Sequence, residues 1–324
     1  MRTQRGRRSS AGAALVAALL VTVAGAGSVL AACGSKVPDL PKPAVSGTIA
    51  FDSGPGGELG PSDVSVVRTD GTGLRKVVAG KAFAGSPAWS PDATRIVYGI
   101  QGATGGQGGL VVADADGTGA RVLPSVKLGS LLPAWSPDGT RIAFSSGWVP
   151  NTGISPAHVW IMNADGSGMR QLTDGPDFDL RAQWAPDGQT ILFVRKGNRF
   201  NSREGDVYSV RLDGSGLTKV TSMGRVSGFA LSPDGSQLAV GDHKAGRIVV
   251  LPFGTSGPAR TLIDTDYGWD SVVLSWSPDG KALVVGFAPL YPAGPDKMVV
   301  VNADGSGLSA IPNVKGMEPA WRPQ

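Results

Sequence analysis

The chain has 324 residues, and its 48 Gly and 24 Pro exclude a helical bundle and favour a turn-rich β protein. Hydrophobic residues make up 41% of the chain, which is enough for a large core and excludes wholesale disorder. One Cys excludes an internal disulfide, and two His leave little material for a zinc site.

Residues 1–32 have the layout of an export signal, because a head rich in Arg precedes an uncharged apolar stretch from Ala11 to Ala32. The stretch is long enough to span a bilayer, so a retained anchor helix is one alternative and an ordinary cleaved signal is another. The sequence Leu30-Ala31-Ala32-Cys33 resembles the lipobox of bacterial lipoproteins. That resemblance implies cleavage before Cys33 and acylation of its thiol. Whether export uses the general secretory or the twin-arginine route stays open.

Removing residues 1–32 takes away four Arg and no acidic residue, so the 30 basic residues fall to 26, the number of acidic ones. The mature net charge is then zero, and no nucleic-acid partner is expected, since such partners need a basic face. Residues 33–45 follow as an acylated Cys and a flexible, Pro-containing tether. We therefore expect an extracytoplasmic, lipid-anchored protein, either periplasmic or on the outer face of the cytoplasmic membrane.

A repeat organises residues 46–324. A turn of the type Trp-Ser-Pro-Asp-Gly recurs every 45–49 residues, and such a period is typical of propellers and solenoids. The first residues of the six copies, called here the key residues, are Trp89, Trp135, Trp184, Leu231, Trp276 and Trp321.

Each unit predicts four short strands of four to six residues. Apolar runs follow the Pro-Asp-Gly turn, and a second turn, of the type Asp-Gly-Ser-Gly, joins the third strand to the fourth. One such sheet cannot bury both of its faces, whereas sheets stacked around an axis can. Residues 48–51, 64–68 and 74–78 supply strands two to four of a blade whose first strand surrounds Trp321. The sequence therefore predicts an all-β, six-bladed propeller closed by its C-terminal strand.

These turns and strands resemble the TolB-like propeller repeat over about residues 45–324. The resemblance implies the propeller alone, because the chain has no room for the N-terminal α/β domain of TolB. Two departures stand out: Leu231 replaces a Trp, and Leu251-Pro252-Phe253-Gly254 replaces an Asp-Gly turn.

Most conspicuous side chains have a structural interpretation. The repeated Trp favour packing between blades over sugar stacking. The repeated turn acids favour bonds to main-chain N–H groups, and they are Asp92, Asp138, Asp187, Asp234 and Asp279. Two further pairs resemble the opening of a calcium loop without its downstream Glu, and they are Asp114 with Asp116 and Asn163 with Asp165. His158 and His243 have no ligand neighbour in the sequence, so no metal, cofactor or catalytic constellation is expected.

The long connections of varied length point to a working surface, because binding residues concentrate on loops of a rigid frame. Six residues three places before the key residues are expected to ring the channel mouth, with Arg181 and Glu318 in opposite blades; they are Ser86, Leu132, Arg181, Gly228, Val273 and Glu318. The candidate binding residues are Asp177, Phe178, Asp179, Arg181, Arg225, Tyr267, Trp269, Asp270 and Glu318.

Acids, an Arg and exposed aromatics together are typical of protein recognition, so we expect a protein or peptide partner for a monomeric propeller. Loops without any partner are the plain alternative. Cell-wall glycan binding and a hydrolase or lyase activity are two further alternatives that fold analogy alone does not separate.

Overall fold

The computed structural model describes residues 43–53, 62–79, 83–101, 108–124, 131–147, 156–197, 205–265, 269–289 and 297–324. The export signal, Cys33 and Tyr267 lie outside these ranges. No helix within them is long and apolar enough to cross a bilayer.

The described chain forms six antiparallel sheets of four strands each. The first strands of neighbouring sheets contact one another and are innermost: β4 (Phe83–Trp89), β8 (Leu131–Trp135), β12 (Phe178–Trp184), β16 (Val226–Leu231), β20 (Trp269–Trp276) and β24 (Met317–Trp321). The second strands are β5 (Arg95–Gln101), β9 (Arg141–Ser146), β13 (Thr190–Lys196), β17 (Gln237–Asp242), β21 (Ala282–Pro289) and β1 (Thr48–Ser53).

The third strands are β6 (Gly109–Asp114), β10 (His158–Asn163), β14 (Gly205–Arg211), β18 (Arg247–Pro252), β22 (Lys297–Asn302) and β2 (Asp63–Arg68). The outermost strands are β7 (Arg121–Val122), β11 (Arg170–Gln171), β15 (Thr218–Lys219), β19 (Arg260–Asp264), β23 (Ser309–Ala310) and β3 (Arg75–Val78). Sheets β4–β7, β8–β11, β12–β15, β16–β19 and β20–β23 are blades 1 to 5, and β24 with β1–β3 is blade 6. The six-bladed prediction is confirmed, but β7, β11, β15 and β23 have two residues rather than the expected four to six.

The C-terminal strand closes the ring, as the sequence predicts. In blade 6, β24 pairs with β1 so that Trp321 lies opposite Ile49 and Ala320 opposite Ala50. The Arg322 N–H also donates to the Thr48 oxygen at 2.9 Å. Closure through main-chain hydrogen bonds pairs the edge of β1 that would otherwise be open.

Apolar clusters fill the spaces between adjacent blades. Between blades 2 and 3, for example, Ala143 and Val159 of one sheet pack with Trp184, Ile191 and Phe193 of the next. All five side chains are less than a tenth exposed. Each blade therefore buries both faces only because it has two neighbours.

The key tryptophans connect blades, which confirms their structural interpretation. Each of four indole N–H groups donates to the main-chain oxygen before the key residue of the preceding blade: Trp89 to Ala320 at 3.2 Å, Trp135 to Ala88 at 3.2 Å, Trp184 to Ala134 at 3.1 Å and Trp276 to Ala230 at 3.0 Å. Arginines of the preceding blade also cover three of the rings at 4.7–5.0 Å: Arg322 over Trp89, Arg95 over Trp135 and Arg141 over Trp184.

A second set of arginines ties the outer parts of neighbouring blades together. The guanidinium groups at the start of outermost strands donate to carbonyls of the next blade: Arg75 to Ala115, Arg121 to Ala164, Arg170 to Leu212 and Arg260 to Ala303. These four bonds join blades 6 to 1, 1 to 2, 2 to 3 and 4 to 5. The four junctions are the ones at which an indole also donates.

The junction between blades 3 and 4 is built differently. Leu231 has no indole, and Thr190 stands where blades 1 and 2 have Arg95 and Arg141. The Gln183 side-chain oxygen instead accepts the Leu231 N–H at 3.0 Å.

The junction between blades 4 and 5 requires a glycine at position 228, because a Cβ there would lie 2.2 Å from the Val272 oxygen. Blades 4 and 5 therefore meet backbone to backbone.

The turn acids accept bonds from their own turns, as expected. The Ser90 hydroxyl donates to Asp92, and the Ser136 hydroxyl donates to Asp138, each at 2.5 Å. These hydroxyls, followed by the N–H groups of Thr94 and Thr140, lower the pKa of both carboxyls to about 2. The ionised form is thus the one that the turn stabilises.

We expect Trp184→Phe to lower the free energy of unfolding by about 1–2 kcal/mol, because the Ala134 oxygen loses its donor and Arg141 loses the better π partner. Urea unfolding measures the loss. Trp160→Phe is the matched control, since the buried Trp160 indole nitrogen has no partner and its removal costs little. Equal losses in the two variants would contradict the role of the indole bonds.

We expect acid to destabilise the propeller between about pH 4 and pH 2. The folded pKa of Asp138 lies below its unfolded value, so its contribution is complete above about pH 4 and disappears as pH falls through about 2. Ser136→Ala removes the principal cause and makes the loss shallower, as does Asp138→Asn. Melting temperatures measured from pH 7 to pH 2 check the slope, and an unchanged slope in both variants would refute this origin.

Candidate functional site

The two ends of the propeller differ in their connections. At one end, called the short-turn face, five connections from innermost to second strands have the same length: residues 90–94, 136–140, 185–189, 232–236 and 277–281. At the other end, called the long-loop face, the connections from second to third strands vary: residues 54–62, 102–108, 147–157, 197–204, 243–246 and 290–296. The connections of the long-loop face vary in length as predicted, but the connection 243–246 is shorter than the uniform turns of the other face.

A β-bulge bends four innermost strands near the long-loop face. In β24 the pairing passes from Met317 opposite Asp52 to Ala320 opposite Ala50, so Glu318 and Pro319 face one residue of β1. The first bulge residue has a positive φ that is rare outside Gly: Ser86 at 54°, Leu132 at 60°, Arg181 at 60° and Glu318 at 54°. Strained, non-Gly backbone of this kind is found disproportionately at functional sites.

Of the six residues expected to ring the channel mouth, four share this bulge conformation. In β16 and β20 the extra residue lies earlier in the strand, at Ser227 and Asp270. Gly228 and Val273 therefore do not share the bulge conformation of the other four. Arg181 and Glu318 do belong to opposite blades, 3 and 6. Among the four bulge residues, the Ser86 hydroxyl donates to the Glu318 carboxylate across the junction of blades 6 and 1.

A buried charge cluster links blades 2 and 3 at the long-loop face. Asp179 is fully buried and receives two bonds from the Arg195 guanidinium, at 2.7 and 2.8 Å. The Asp179 N–H donates to the Ala157 oxygen of blade 2 at 2.7 Å. Hydrogen bonding to Asp179 raises the pKa of Arg195, although burial opposes it, and the charge of half-buried Asp177 adds to the rise.

His158 of blade 2 lies beside this cluster. Its Nδ1 is 3.9 Å from an Asp179 carboxylate oxygen and has no hydrogen-bond partner. This pair was not predictable from the sequence, because the acid comes from a different blade and sequence spacing does not report contacts between blades. The Arg195 guanidinium lies 5.4 Å from the Tyr208 ring, so the cluster is packed as well as charged.

The candidate residue Arg225 lies in a second, half-exposed arrangement on blade 4. Its guanidinium is 3.0 Å from the buried Asp242 carboxylate, which also accepts the Ala245 N–H at 3.0 Å. The His243 Nδ1 lies 2.9 Å from the Arg225 oxygen. The short connection 243–246 is therefore held rigidly, with Lys244 exposed beside Arg225.

Asp206 is a residue of the long-loop face that sequence reasoning missed. It is buried at the long-loop end of β14 and accepts the Met223 and Gly224 N–H groups at 2.8 and 3.0 Å. Lys219 lies 2.8 Å from its second oxygen. A lone Asp after a loop has no distinctive pattern, so only the fold identifies it as the residue that fixes the connection before β16.

Two of the nine candidate binding residues are interior, which corrects the expectation of an exposed cluster there. Phe178 is 2% exposed and Asp179 is 0% exposed, because β12 begins inside the junction of blades 2 and 3. Asp177, Arg181 and Glu318 are half-buried, and the Arg225 side chain is 45% exposed. Trp269 and Asp270 belong to β20, and Tyr267 lies outside the described residues.

The described residues contain no group of three His, Cys, Asp or Glu that would hold a metal ion. The two loops that resemble calcium loops use their acids within the turn: Asp116 accepts the Thr118 N–H at 2.9 Å, and Asp165 accepts the Ser167 N–H at 2.8 Å. These bonds lower the pKa of both carboxyls, led by the hydroxyl groups of Thr118 and Ser167.

We expect Arg195→Met to destabilise the fold by about 3–5 kcal/mol, since it leaves the buried Asp179 carboxylate unpaired. Arg247→Met is the matched control, because its pair with Asp264 is about half exposed on both sides and is worth about 0–1 kcal/mol. Denaturant unfolding compares the two. Similar small losses would show that the buried cluster is not structural.

Comparison with known proteins adds independent information. A profile of the TolB beta propeller domain matches residues 48–324. A search among curated proteins finds no significant match. Among solved structures, TolB from Acinetobacter baumannii is similar at a TM-score of 0.69 and 23% identity, covering 86% of this chain and 67% of that one.

Two further similar structures are a chain of a protein complex and an enzyme. A chain of a nidogen/laminin complex has a TM-score of 0.64 and 12% identity, covering 86% of this chain and 98% of its own. An oligogalacturonate lyase from Vibrio parahaemolyticus has a TM-score of 0.50 and 14% identity, covering 73% and 70%. At these identities the structures share the fold alone, whereas the profile covers most of the sequence. The chain therefore belongs to the TolB β-propeller family.

Proposed function

We propose that this chain is a lipid-anchored, extracytoplasmic propeller that binds a protein or peptide through its long-loop face. The lipobox-like Leu30-Ala31-Ala32-Cys33 and the apolar segment before it support the location. The interface residues we assign are Asp177, Arg181, Arg225, Tyr267, Trp269, Asp270 and Glu318.

The observation that carries this proposal is the contrast between the two faces. On the short-turn face the repeated acids are engaged by their own turns, as in the bonds of Asp92 and Asp138. On the long-loop face, buried acids hold the connections instead. Asp206 and Asp242 accept main-chain N–H groups there, while half-exposed Arg225 remains at the surface. Varied loops on a rigid base are the usual architecture of a recognition surface.

The bulge residues strengthen this interpretation. Arg181 and Glu318 are held in a backbone conformation that costs roughly 1–3 kcal/mol each. Arg181 and Glu318 have opposite charges at corresponding positions of opposite blades. This arrangement is complementary to a partner that carries charges of both signs rather than to a polyanion. The similarity to a chain of a nidogen/laminin complex supports the fold only.

The enzymatic alternative has weaker support. A lyase occurs among the structural neighbours. In the described part of this chain, however, the buried Asp179 beside His158 is already paired with Arg195. A carboxylate held in this way is a poor general base, because its partner stabilises the charged form.

Photocrosslinking tests the proposal. A crosslinking amino acid at Lys244, on the long-loop face, is expected to capture a specific partner in membranes of producing cells, whereas one at Ala120, on the short-turn face, is not. Arg181→Glu with Trp269→Ala should reduce the adduct at least about tenfold, the effect of losing about 1.4 kcal/mol of binding. Thr218→Ser, an exposed change far from this face, is the control.

Equal adducts at both faces, or adducts indifferent to the double variant, would refute the assigned surface. Displacement of the partner signal by free wall-derived sugar would favour glycan binding instead. Turnover of a polysaccharide that is abolished by Glu318→Gln would favour the lyase alternative.

A further inference from the structure

The chain enters the propeller at the short-turn face. Thr69 lies in the turn between β2 and β3, and its N–H donates to the Gly47 oxygen at 3.0 Å. The Thr69 hydroxyl donates to the Val45 oxygen at 2.6 Å. Val45 also packs against the core between blades 5 and 6. The residues just before β1 are therefore fixed at this end of the ring, opposite the long-loop face.

Exposed apolar side chains lie at the same end. Among the described residues, the large hydrophobic side chains that remain exposed are Leu74 at 49%, Val122 at 61%, Met169 at 36% and Leu217 at 48%. Each lies in, or directly after, the turn from a third to an outermost strand, on blades 6, 1, 2 and 3. These four residues are called the apolar rim. They occupy four consecutive blades, one residue on each, along one side of the ring.

Blade 5 shows that exposure at this position is not imposed by the repeat. Leu308 stands where Leu74, Met169 and Leu217 stand in their blades, directly after an Asp-Gly-Ser-Gly or Asp-Gly-Thr-Gly turn. Leu308 is nevertheless half-buried and packs against the core of blades 4 and 5. The rim residues have no such cover, so packing between blades does not account for their apolar character.

The charges of this rim are balanced. Arg75, Arg121 and Arg170 follow the apolar residues or adjoin them, Arg211 precedes the turn of Leu217, and the turns carry Asp70, Asp116, Asp165 and Asp213. The first three cations donate to carbonyls of the next blade. Because these charges balance, they do not attract an anionic surface strongly. They can remain among the polar headgroups of a bilayer while the apolar side chains insert beneath them.

We propose that the apolar rim contacts the bilayer that carries the lipid on Cys33, so that the propeller lies tilted on blades 6, 1, 2 and 3. The long-loop face then points away from the membrane. This inference rests on the lipidation proposed above. Because the chain from Cys33 to Val45 spans at most about 40 Å, the rim stays close to the lipid surface, and weak insertion suffices for contact.

Depth-dependent fluorescence quenching tests this orientation in the full lipidated chain on vesicles of neutral phospholipid. Acylation consumes Cys33, so an introduced Cys is the sole free thiol for a fluorophore. We expect headgroup spin labels to quench a probe at Ala120→Cys at least about threefold more than one at Lys244→Cys, since only position 120 adjoins the rim. Equal quenching at the two positions, or stronger quenching at Lys244→Cys, overturns the proposal.

A rim variant separates apolar contact from tethering. Leu74→Ser with Met169→Ser and Leu217→Ser is expected to reduce quenching at Ala120→Cys to the level at Lys244→Cys, with little change in melting temperature because the side chains are exposed. Gln171→Ser with Thr218→Ser, polar changes on the same rim, is the matched control. Unchanged quenching in the rim variant refutes insertion. Insertion is also refuted if the probe is not quenched on vesicles of pure lipid while crosslinkers on the rim capture a membrane protein.

Flotation and the mass of the N-terminal peptide distinguish the two proposals. A chain that lacks the acyl mass and does not float with vesicles refutes lipidation. A chain that is acylated, floats and shows equal quenching at positions 120 and 244 refutes the rim contact alone.

Discussion

The structure depends on one packing constraint, that a four-stranded sheet of short strands has two apolar faces and only its neighbours can cover them. Every described core cluster lies between blades, as Trp184 and Phe193 show in packing against Ala143. Burial of this kind is cooperative, because removing one blade would expose the faces of two others. Ring closure through β24 completes the cover and is the reason that no blade needs a cap.

The junctions of the ring are unequal, although the repeat is regular. Blades 6, 1, 2 and 3 are joined by indole bonds, by stacked arginines and by guanidinium bonds to turn carbonyls. Blades 3 and 4 have instead the amide of Gln183. The apolar rim follows the same four blades as the strong junctions, and the Arg225 cluster lies on blade 4, beyond them. The ring thus combines a uniform, strongly joined segment with a segment whose local structure departs from the repeat.

Much of the fold was predictable because its determinants are local and repeated. An Asp-Gly turn between apolar runs requires no distant partner, so the strands, their order and the closing strand all follow from the sequence. The site was less predictable because its contacts join residues of different blades. Arg195, Asp179 and His158 are separated in sequence, and nothing in their spacing reports a shared junction. Phe178 illustrates the same limit, since an aromatic in a loop-like sequence proved to begin a buried strand. The shifted bulges of β16 and β20 likewise have no counterpart in a local sequence pattern.

Closure by β24 has a consequence for biogenesis. Of the described strands, the one that completes blade 6 comes last in the chain, while its partner β1 comes first. A nascent chain that has not yet released Trp321 therefore retains an incomplete blade with an unpaired edge, and the full annulus forms only after synthesis passes that residue.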